Sequence, residues 1–566
     1  MNLPTPAIVT HSAAHRMPRW ALLLLCLAYI VPGFVGRDPW RGVDMAALGY
    51  MQELAGGHTP WLAPLLGGLA PDTDGLLPYW LGAWALQWAP SWIPLDMAAR
   101  LPFAALLVLT LVATWYAVYE LARSPSAQPV AFAFGGEARP HEYACAMADG
   151  GLLALIACLG LAQPSHEATS YLAQLCGTAL VFFAMAAAHY RTVAASLALV
   201  VGMPTLVLSG APTLALLYSL GGAALHLWGA GNAANDGTPR RPLRHIGWLL
   251  LANAAAVLLL AWSLDLWGWR IVWATSAREW ASFGRLLLWF TWPAWPLALW
   301  TLWRWRKYII SRQLHRHLLL PLWFVVIAVA AAFSTQPSDR ALLLGLPALA
   351  ALAAFALPTL SRSVSALIDW FTLLFFSISA IAIWVIWLSN QTGIPAKPAA
   401  NVAKLAPGYV VQFSGLLLAL AVMATVAWCA LVWWRAGRHR SAIWKSLVLP
   451  AAGATLGWFL LLTLWLPMLN YARSDAPQVR SILAVLGQPA CVLGQDLSRS
   501  QIAALQYHGA LRVLPLSSAA SCPWLLTGAG AGAAQRVDTQ RWSLQARRAR
   551  PTDKTDFILL YRRSSP

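Results

Sequence analysis

Long, nearly uninterrupted apolar stretches recur along the whole chain, and they decide what it can fold into. Runs of roughly 17 to 25 residues, enough for a helix to span hydrocarbon, lie near 20–36, 101–121, 144–162, 169–189, 193–209, 212–229, 246–264, 286–303, 318–333, 341–357, 367–388, 410–433 and 447–467. In lipid every backbone N–H and C=O must be paired within its own segment, so these runs predict about thirteen membrane helices. Composition agrees: 59% of the 566 residues are hydrophobic, 11% are charged and 33 are tryptophan. The first run follows His15, Arg16 and Arg19 as a signal peptide would, but it lacks a small-residue cleavage site and is expected to stay as an anchor. The segment 76–94, "LLPYWLGAWALQWAPSWIP", is also apolar; its tryptophans and its prolines near each end predict a helix lying flat at the interface.

With the N-terminus inside, the cytoplasmic segments hold about 18 Lys and Arg and the outside loops before residue 468 about 9, as the positive-inside rule requires. This topology places the loop 37–100 and the C-terminal tail outside. It divides the chain into a membrane domain, 1–467, and an exterior domain, 468–566. The net charge of +18 sits largely in short loops, where topology and anionic headgroups explain it, so membrane lipids rather than nucleic acid are the expected partners. The tail reads as a small α/β domain: strands at "ACVLGQDL", "ALRVLPL" and "CPWLLTG", a Ser-capped helix at "SRSQIAALQYHG", and a closing hairpin from "RWSLQARRAR" and "DFILLYRR". "TGAGAGAAQR" (527–536) lacks the Lys-Ser/Thr ending of a phosphate loop and reads as a turn. Of the seven cysteines only Cys491 and Cys522 share the oxidising side; their spacing leaves a disulfide between them open.

An ion-coupled transporter needs ionisable groups at bilayer depth. Here Glu120, Asp149, His189 and Asp369 fall near cytoplasmic helix ends, while the exterior loops hold most of the remaining chemistry. The stretch "GFVGRDPWRGVDM" (33–45) alone presents Arg37, Asp38, Arg41 and Asp44 directly beyond the first span. Chemistry is therefore expected at the outer interface. The structural reading of Asp38 is a helix start, since proline follows it. For Asp44, a solvated helix face stands level with a lining role.

The order of segments is more specific than their composition. One helix, an outside loop with an "RD" pair, an amphipathic helix, "WLAPLLGG", "PYWL" and "ARLPFAALLVLTLV" follow one another; later come "LSGAPTLALL" (208–217) and "FSTQPSDRALLLGLPALAALAAFAL" (333–357). This arrangement resembles the polyprenyl-phosphate-dependent GT-C glycosyltransferases, in particular the bacterial aminoarabinose (lipid A) transferase and protein O-mannosyltransferase superfamily. The resemblance implies an all-α polytopic membrane protein of GT-C type with a small C-terminal α/β extramembrane domain. It implies transfer of a sugar from a polyprenyl (undecaprenyl) phosphate, on the periplasmic face of the cell inner membrane, to lipid A, another glycan or a protein.

Carried over residue by residue, the family's first-loop carboxylate falls on Asp38 and its second, in the loop after the third helix, on Glu167 in "QPSHEATS". Asp38 is then the expected catalytic base or charge partner. Arg37 and Arg41 flank it, and Arg41 and Asp44 share a helix face if 41–54 is helical. Glu167 would orient the acceptor or, with Asp38, hold a divalent cation, with His166 as a further ligand or proton carrier. The bland alternative makes Ser165 a helix cap and Glu167 a first-turn acid. The chain departs from the family where a lysine before the "PYWL" segment contacts the lipid phosphate, because "DTDGLLPYWL" has Asp74 there, and Ser209-Gly210-Ala211-Pro212 replaces a Lys-Gly-Pro segment. Arg278, Arg285 and Arg340 are the remaining candidates for gripping phosphate, each also readable as a juxtamembrane arginine. A non-enzymatic carrier or flippase for lipid-linked sugar, or a degenerate binder, would share these hydropathy and charge patterns.

Overall fold

In the computed structural model, which describes residues 5–73, 75–232, 240–268, 271–272, 276–310, 315–436, 442–518, 521–528 and 537–564, helices carry most of the chain. Eight of the described helices are long and apolar enough to cross a membrane, among them Leu95–Ala122, Arg316–Ser334 and Arg362–Thr392. Trp20, Leu259, Ile378 and Trp433 on such helices remain exposed, as hydrocarbon-facing side chains do. The chain is a multi-pass membrane protein. It forms two compact units: Met1–Gly33, Phe103–Ala380 and Ala421–Phe459 make the first, and Phe34–Pro102, Ile381–Leu420 and Leu460–Pro566 the second.

The first unit is built around the helix Pro140–Ala157, which is buried on every side from Tyr143 to Ala157, as a helix apolar on nearly every face should be, its one carboxylate there, Asp149, accepting from Met17 N at 2.8 Å and Trp115 Nε1 at 2.9 Å. The helices Ser170–Ala187 and Thr192–Leu208 approach closely at Gly177 and Gly202. A Cβ at either glycine would lie 3.0 or 3.1 Å from the other's carbonyl oxygen, the small-residue contact that lets membrane helices meet by their backbones. Two expected spans are corrected. The run 286–303 is broken at Thr291–Pro293 into Ala277–Phe290 and Ala294–Arg304, because Pro293 has no N–H to continue the helix. The carbonyls released by the break are satisfied: Gly160 N donates to Phe290 O at 2.9 Å and Leu159 N to Trp292 O at 3.1 Å. The run 341–357 is likewise divided into Ser338–Leu343 and Leu346–Ala354, the second with proline in its first turn.

In the second unit the tail folds as the strand and hairpin pattern anticipates. Strands β1 (Val492–Gln495), β2 (Val513–Pro515), β3 (Trp524–Gly528), β4 (Trp542–Arg550) and β5 (Asp553–Arg563) form one sheet of order β2-β1-β3-β5-β4. β1 runs parallel to β2 and β3, and β5 antiparallel to β3 and β4. The Cys491–Cys522 disulfide forms, with Cα atoms 5.4 Å apart. Cys522 joins Leu493, Leu525, Val537, Leu559 and Tyr561 in the sheet's core. The helix Arg499–Gly509 opens on a capping box between Ser498 and Gln501. It packs on Val43–Ala55 so closely that a Cβ at Gly49 would stand 2.6 Å from that of Ala503. Segment 76–94 forms the helix Leu77–Trp88, with Trp84, Trp88 and Trp92 exposed. Residues 529–536 of the Gly-rich turn lie outside the described residues.

Candidate active site

In the first unit the chain leaves Pro140–Ala157, makes a 3-10 turn at Pro164–His166 and runs extended through Glu167 before the next helix begins at Ser170. Ser165 is therefore not a helix cap, and Glu167 is not in a helical first turn. The Glu167 side chain is 4% exposed, and its Oε2 lies 2.7 Å from Nη2 of Arg340. Its Oε1 accepts from Gln163 Nε2 at 3.0 Å. Two candidates from separate loops, a carboxylate and a guanidinium, are thus one buried ion pair. Arg340 sits on Ser338–Leu343, stacks over Tyr171 at 5.6 Å and reaches Asp339 Oδ2 at 3.5 Å. Its Nη1, also buried, has no hydrogen-bond partner among the described residues. The same short helix contributes Leu342 to an apolar cavity of about 250 Å³, lined also by Trp295, Ala298, Leu322, Val325 and Leu346.

His166 does not act as expected. Its ring is fully buried, Nδ1 lies 2.5 Å from Ala162 O and Nε2 3.1 Å from Tyr29 O. Trp458 and Tyr29 pack against it at 5.0 and 5.3 Å, and a Cβ on Gly33 would overlap the ring. Both nitrogens are enclosed by protein oxygens, with Ser165 Oγ also 3.2 Å from Nδ1, so neither is presented to a metal or a reacting group. Glu167, committed to Arg340 and Gln163, is equally ill suited to a divalent cation. Among the described residues no group of three His, Cys, Asp or Glu side chains is gathered as metal ligands.

In the second unit the first loop is drawn together by a buried charge cluster. Arg37 Nη2 meets Asp44 Oδ2 at 3.0 Å, both side chains almost wholly buried, and Arg100 Nη2 lies 3.8 Å from the same oxygen. Arg100 Nη1 donates to the carbonyl of Arg37 and reaches Asp96 Oδ2 at 3.1 Å. Trp40 N donates to Asp44 Oδ2 at 3.2 Å, so Asp44 closes the loop onto the start of its own helix instead of facing solvent. Arg41 turns to the tail, with Nη2 2.9 Å from Asp556 Oδ2. Neither arginine is the ion partner of Asp38, and Arg41 and Asp44 do not act together, contrary to the flanking read from sequence. Asp38 itself is half-buried, and its carboxylate makes no hydrogen bond or ion pair among the described residues. His508 and Tyr507 of the tail lie within its electrostatic reach. Burial pushes the His508 imidazole below its ordinary value against the pull of Asp38; burial pushes the Tyr507 phenol up.

No family model matches the chain, and no curated protein matches it in sequence. Two crystal structures of ArnT from Cupriavidus metallidurans, one bound to undecaprenyl phosphate and one in the apo state, match it in structure. Each does so with a TM-score of 0.60 over 96% of this chain and 98% of that one, at 15% and 14% identity respectively. The chain has the ArnT fold. At that identity the likeness to ArnT is one of architecture, which agrees with the expected all-helical membrane protein with a small C-terminal sheet domain.

Within the ArnT-like framework the remaining candidates separate. Arg278 and Arg285 are exposed on Ala277–Phe290, and Asp74 lies outside the described residues. Sequence reasoning passed over Gln163, Arg100 and His508. Gln163 was visible as a polar residue four positions before Glu167. Arg100 meets Arg37 and Asp44, and His508 comes within reach of Asp38, only through folding across tens to hundreds of residues.

Proposed function

We propose that the chain is an inner-membrane glycosyltransferase that moves a sugar from undecaprenyl phosphate to an envelope acceptor, lipid A, another glycan or a protein, on the periplasmic face. The observation that carries this reading is Arg340: a buried arginine with one amino group uncommitted, on a helix that also lines an apolar cavity. It occurs in a fold shared with an ArnT structure bound to undecaprenyl phosphate. Guanidinium suits a phosphate through paired donors, and an apolar cavity suits an isoprenoid tail. Glu167 holds Nη2 of Arg340 and so aims the guanidinium. The disulfide supports an exterior tail, since such bonds persist in oxidising compartments.

Asp38 is the catalytic carboxylate in this reading. It takes the proton of the acceptor hydroxyl as that oxygen bonds to the anomeric carbon. The bond from that carbon to the phosphate oxygen breaks on the opposite face, inverting the centre. Undecaprenyl phosphate leaves with the bonding pair. The test is transfer by the reconstituted protein from labelled undecaprenyl-phosphate sugars to a panel of lipid and protein acceptors. Asp38→Asn is expected to insert and fold normally while losing transfer by about 10²–10⁴-fold. Unchanged transfer by that variant would favour a carrier or a binder without turnover.

A further inference from the structure

Besides the ties from Asp44 and Arg100, the loop bearing Asp38 is gripped on both sides of that residue by one side chain more than four hundred residues away in sequence. Asn470, on the helix Leu466–Arg473, accepts at Oδ1 from the backbone N–H of Asp38 at 3.1 Å and from Trp40 Nε1 at 3.2 Å. Its Nδ2 donates to the carbonyl of Gly36 at 3.2 Å. An amide is the only neutral side chain that can accept twice at one atom and donate at its neighbour in this fashion, and the three bonds bracket residues 36–40 on both sides of Asp38. The same helix adds a second grip. The carbonyl of Arg473 accepts from Arg41 N at 2.8 Å, and its guanidinium lies over the Trp40 ring at 5.1 Å, with that of Arg37 at 4.7 Å. Gly36 has a φ of +72°, a left-handed conformation open to glycine at little cost. The bond from Asn470 fastens the carbonyl of that turn.

The Asp38 carboxylate, by contrast, makes no bond of its own among the described residues. Its place is therefore set by the backbone beneath it, and on either side of Asp38 that backbone is tied by Asn470, beside the ties from Arg100, Asp44 and Arg473. We infer that Asn470 is a positioning residue of the transfer reaction: it fixes the stretch of backbone from which the Asp38 carboxylate projects, which makes the start of the C-terminal segment a working part of the site. This rests on the proposed role of Asp38. A carboxylate that must meet an acceptor hydroxyl is sensitive to small displacements, since a shift of about 1 Å costs on the order of 100-fold.

The test compares Asn470→Ala, Asn470→Asp, Tyr471→Phe and Asp38→Asn in full-length protein, by transfer from labelled undecaprenyl-phosphate sugars, with thermal unfolding as the folding control. Asn470→Ala is expected to lower kcat by about 10- to 100-fold with KM for the donor within about twofold. Asn470→Asp keeps the oxygen that serves Asp38 N and Trp40 Nε1, and is expected to recover at least about tenfold over the alanine variant. Tyr471→Phe loses a bond from the same helix to the Pro407 carbonyl and is expected to leave kcat unchanged. Transfer lost in Asp38→Asn but unchanged in Asn470→Ala overturns the positioning role alone. Equal losses in both Asn470 variants, or a loss in Tyr471→Phe to match, overturn it too, showing a merely structural helix. Transfer retained in Asp38→Asn overturns the functional reading itself.

Discussion

Arg340 and Glu167 show how much a single charged residue depends on its partner. Each was recognisable alone, one as a phosphate contact and one as a loop carboxylate, yet their chemistry changes once they are 2.7 Å apart and buried. Removing one member of a buried pair strands the other, which costs about 3–5 kcal/mol, whereas replacing both with neutral groups of similar size costs much less. Arg340→Ala is accordingly expected to destabilise the protein by about 3 kcal/mol. Glu167→Gln with Arg340→Met together should lose less than Arg340→Ala alone. Thermal unfolding in detergent checks both, and a double variant less stable than Arg340→Ala would show that Glu167 is not stranded by the single change. Asp44 carries the same lesson, since its partners Arg37 and Arg100 make it a tie for the loop and not part of a solvated face.

Among the elements, Arg499–Gly509 connects the tail sheet to the first loop. Its Ser500 hydroxyl accepts from Gly42 N at 3.0 Å and donates to Asp475 at 3.1 Å, and its Gln506 donates to Glu53 at 2.7 Å. Toward its end it holds His508, whose imidazole burial disfavours in the charged form; Asp38 and Asp96 oppose this and Arg480 reinforces it. A histidine with a lowered folded value takes up its proton more readily when unfolded. Its stabilising contribution is therefore present above the ordinary imidazole value of 6.5 and is lost as pH falls from there through the lowered folded value. Denaturant midpoints of the protein are expected to drop across that window, and His508→Gln should flatten the drop. An unchanged slope in the variant would assign the acid sensitivity to other groups. The capping box of this helix and the alternation of the strands are local signals, which is why the tail was legible as a sequence of elements. The breaks at Pro293 and between Ser338–Leu343 and Leu346–Ala354 lay hidden inside apolar runs, because hydropathy reports the solvent of a segment and not its continuity.

For the whole molecule, the ArnT-like architecture and the apolar cavity lead to a binding prediction separate from turnover. A ligand that binds only the folded state stabilises it by mass action, by about 2.7 kcal/mol at a hundredfold excess over Kd. Undecaprenyl phosphate is expected to raise the melting temperature of the protein in detergent, and Arg340→Ala to abolish the shift. A shift of equal size in the variant would remove Arg340 from the phosphate site. The same measurement with Asp38→Asn should be unaltered, since that carboxylate is assigned to the acceptor hydroxyl and not to the phosphate.

Taken alone, the sequence determined that the chain spans a membrane many times, that its tail makes strands around one capped helix, and that carboxylates and arginines collect in the exterior loops. These properties follow from apolar run length, residue periodicity and charge, all of which act within a few residues. Tertiary structure decided the partners: Arg340 for Glu167, Asp556 for Arg41, Asn470 for the backbone of Asp38. Those pairings join residues as much as 515 positions apart, as Arg41 and Asp556 are. A buried polar group is stabilised by whichever complementary group folding brings within about 3 Å, and no spacing along the chain encodes that choice.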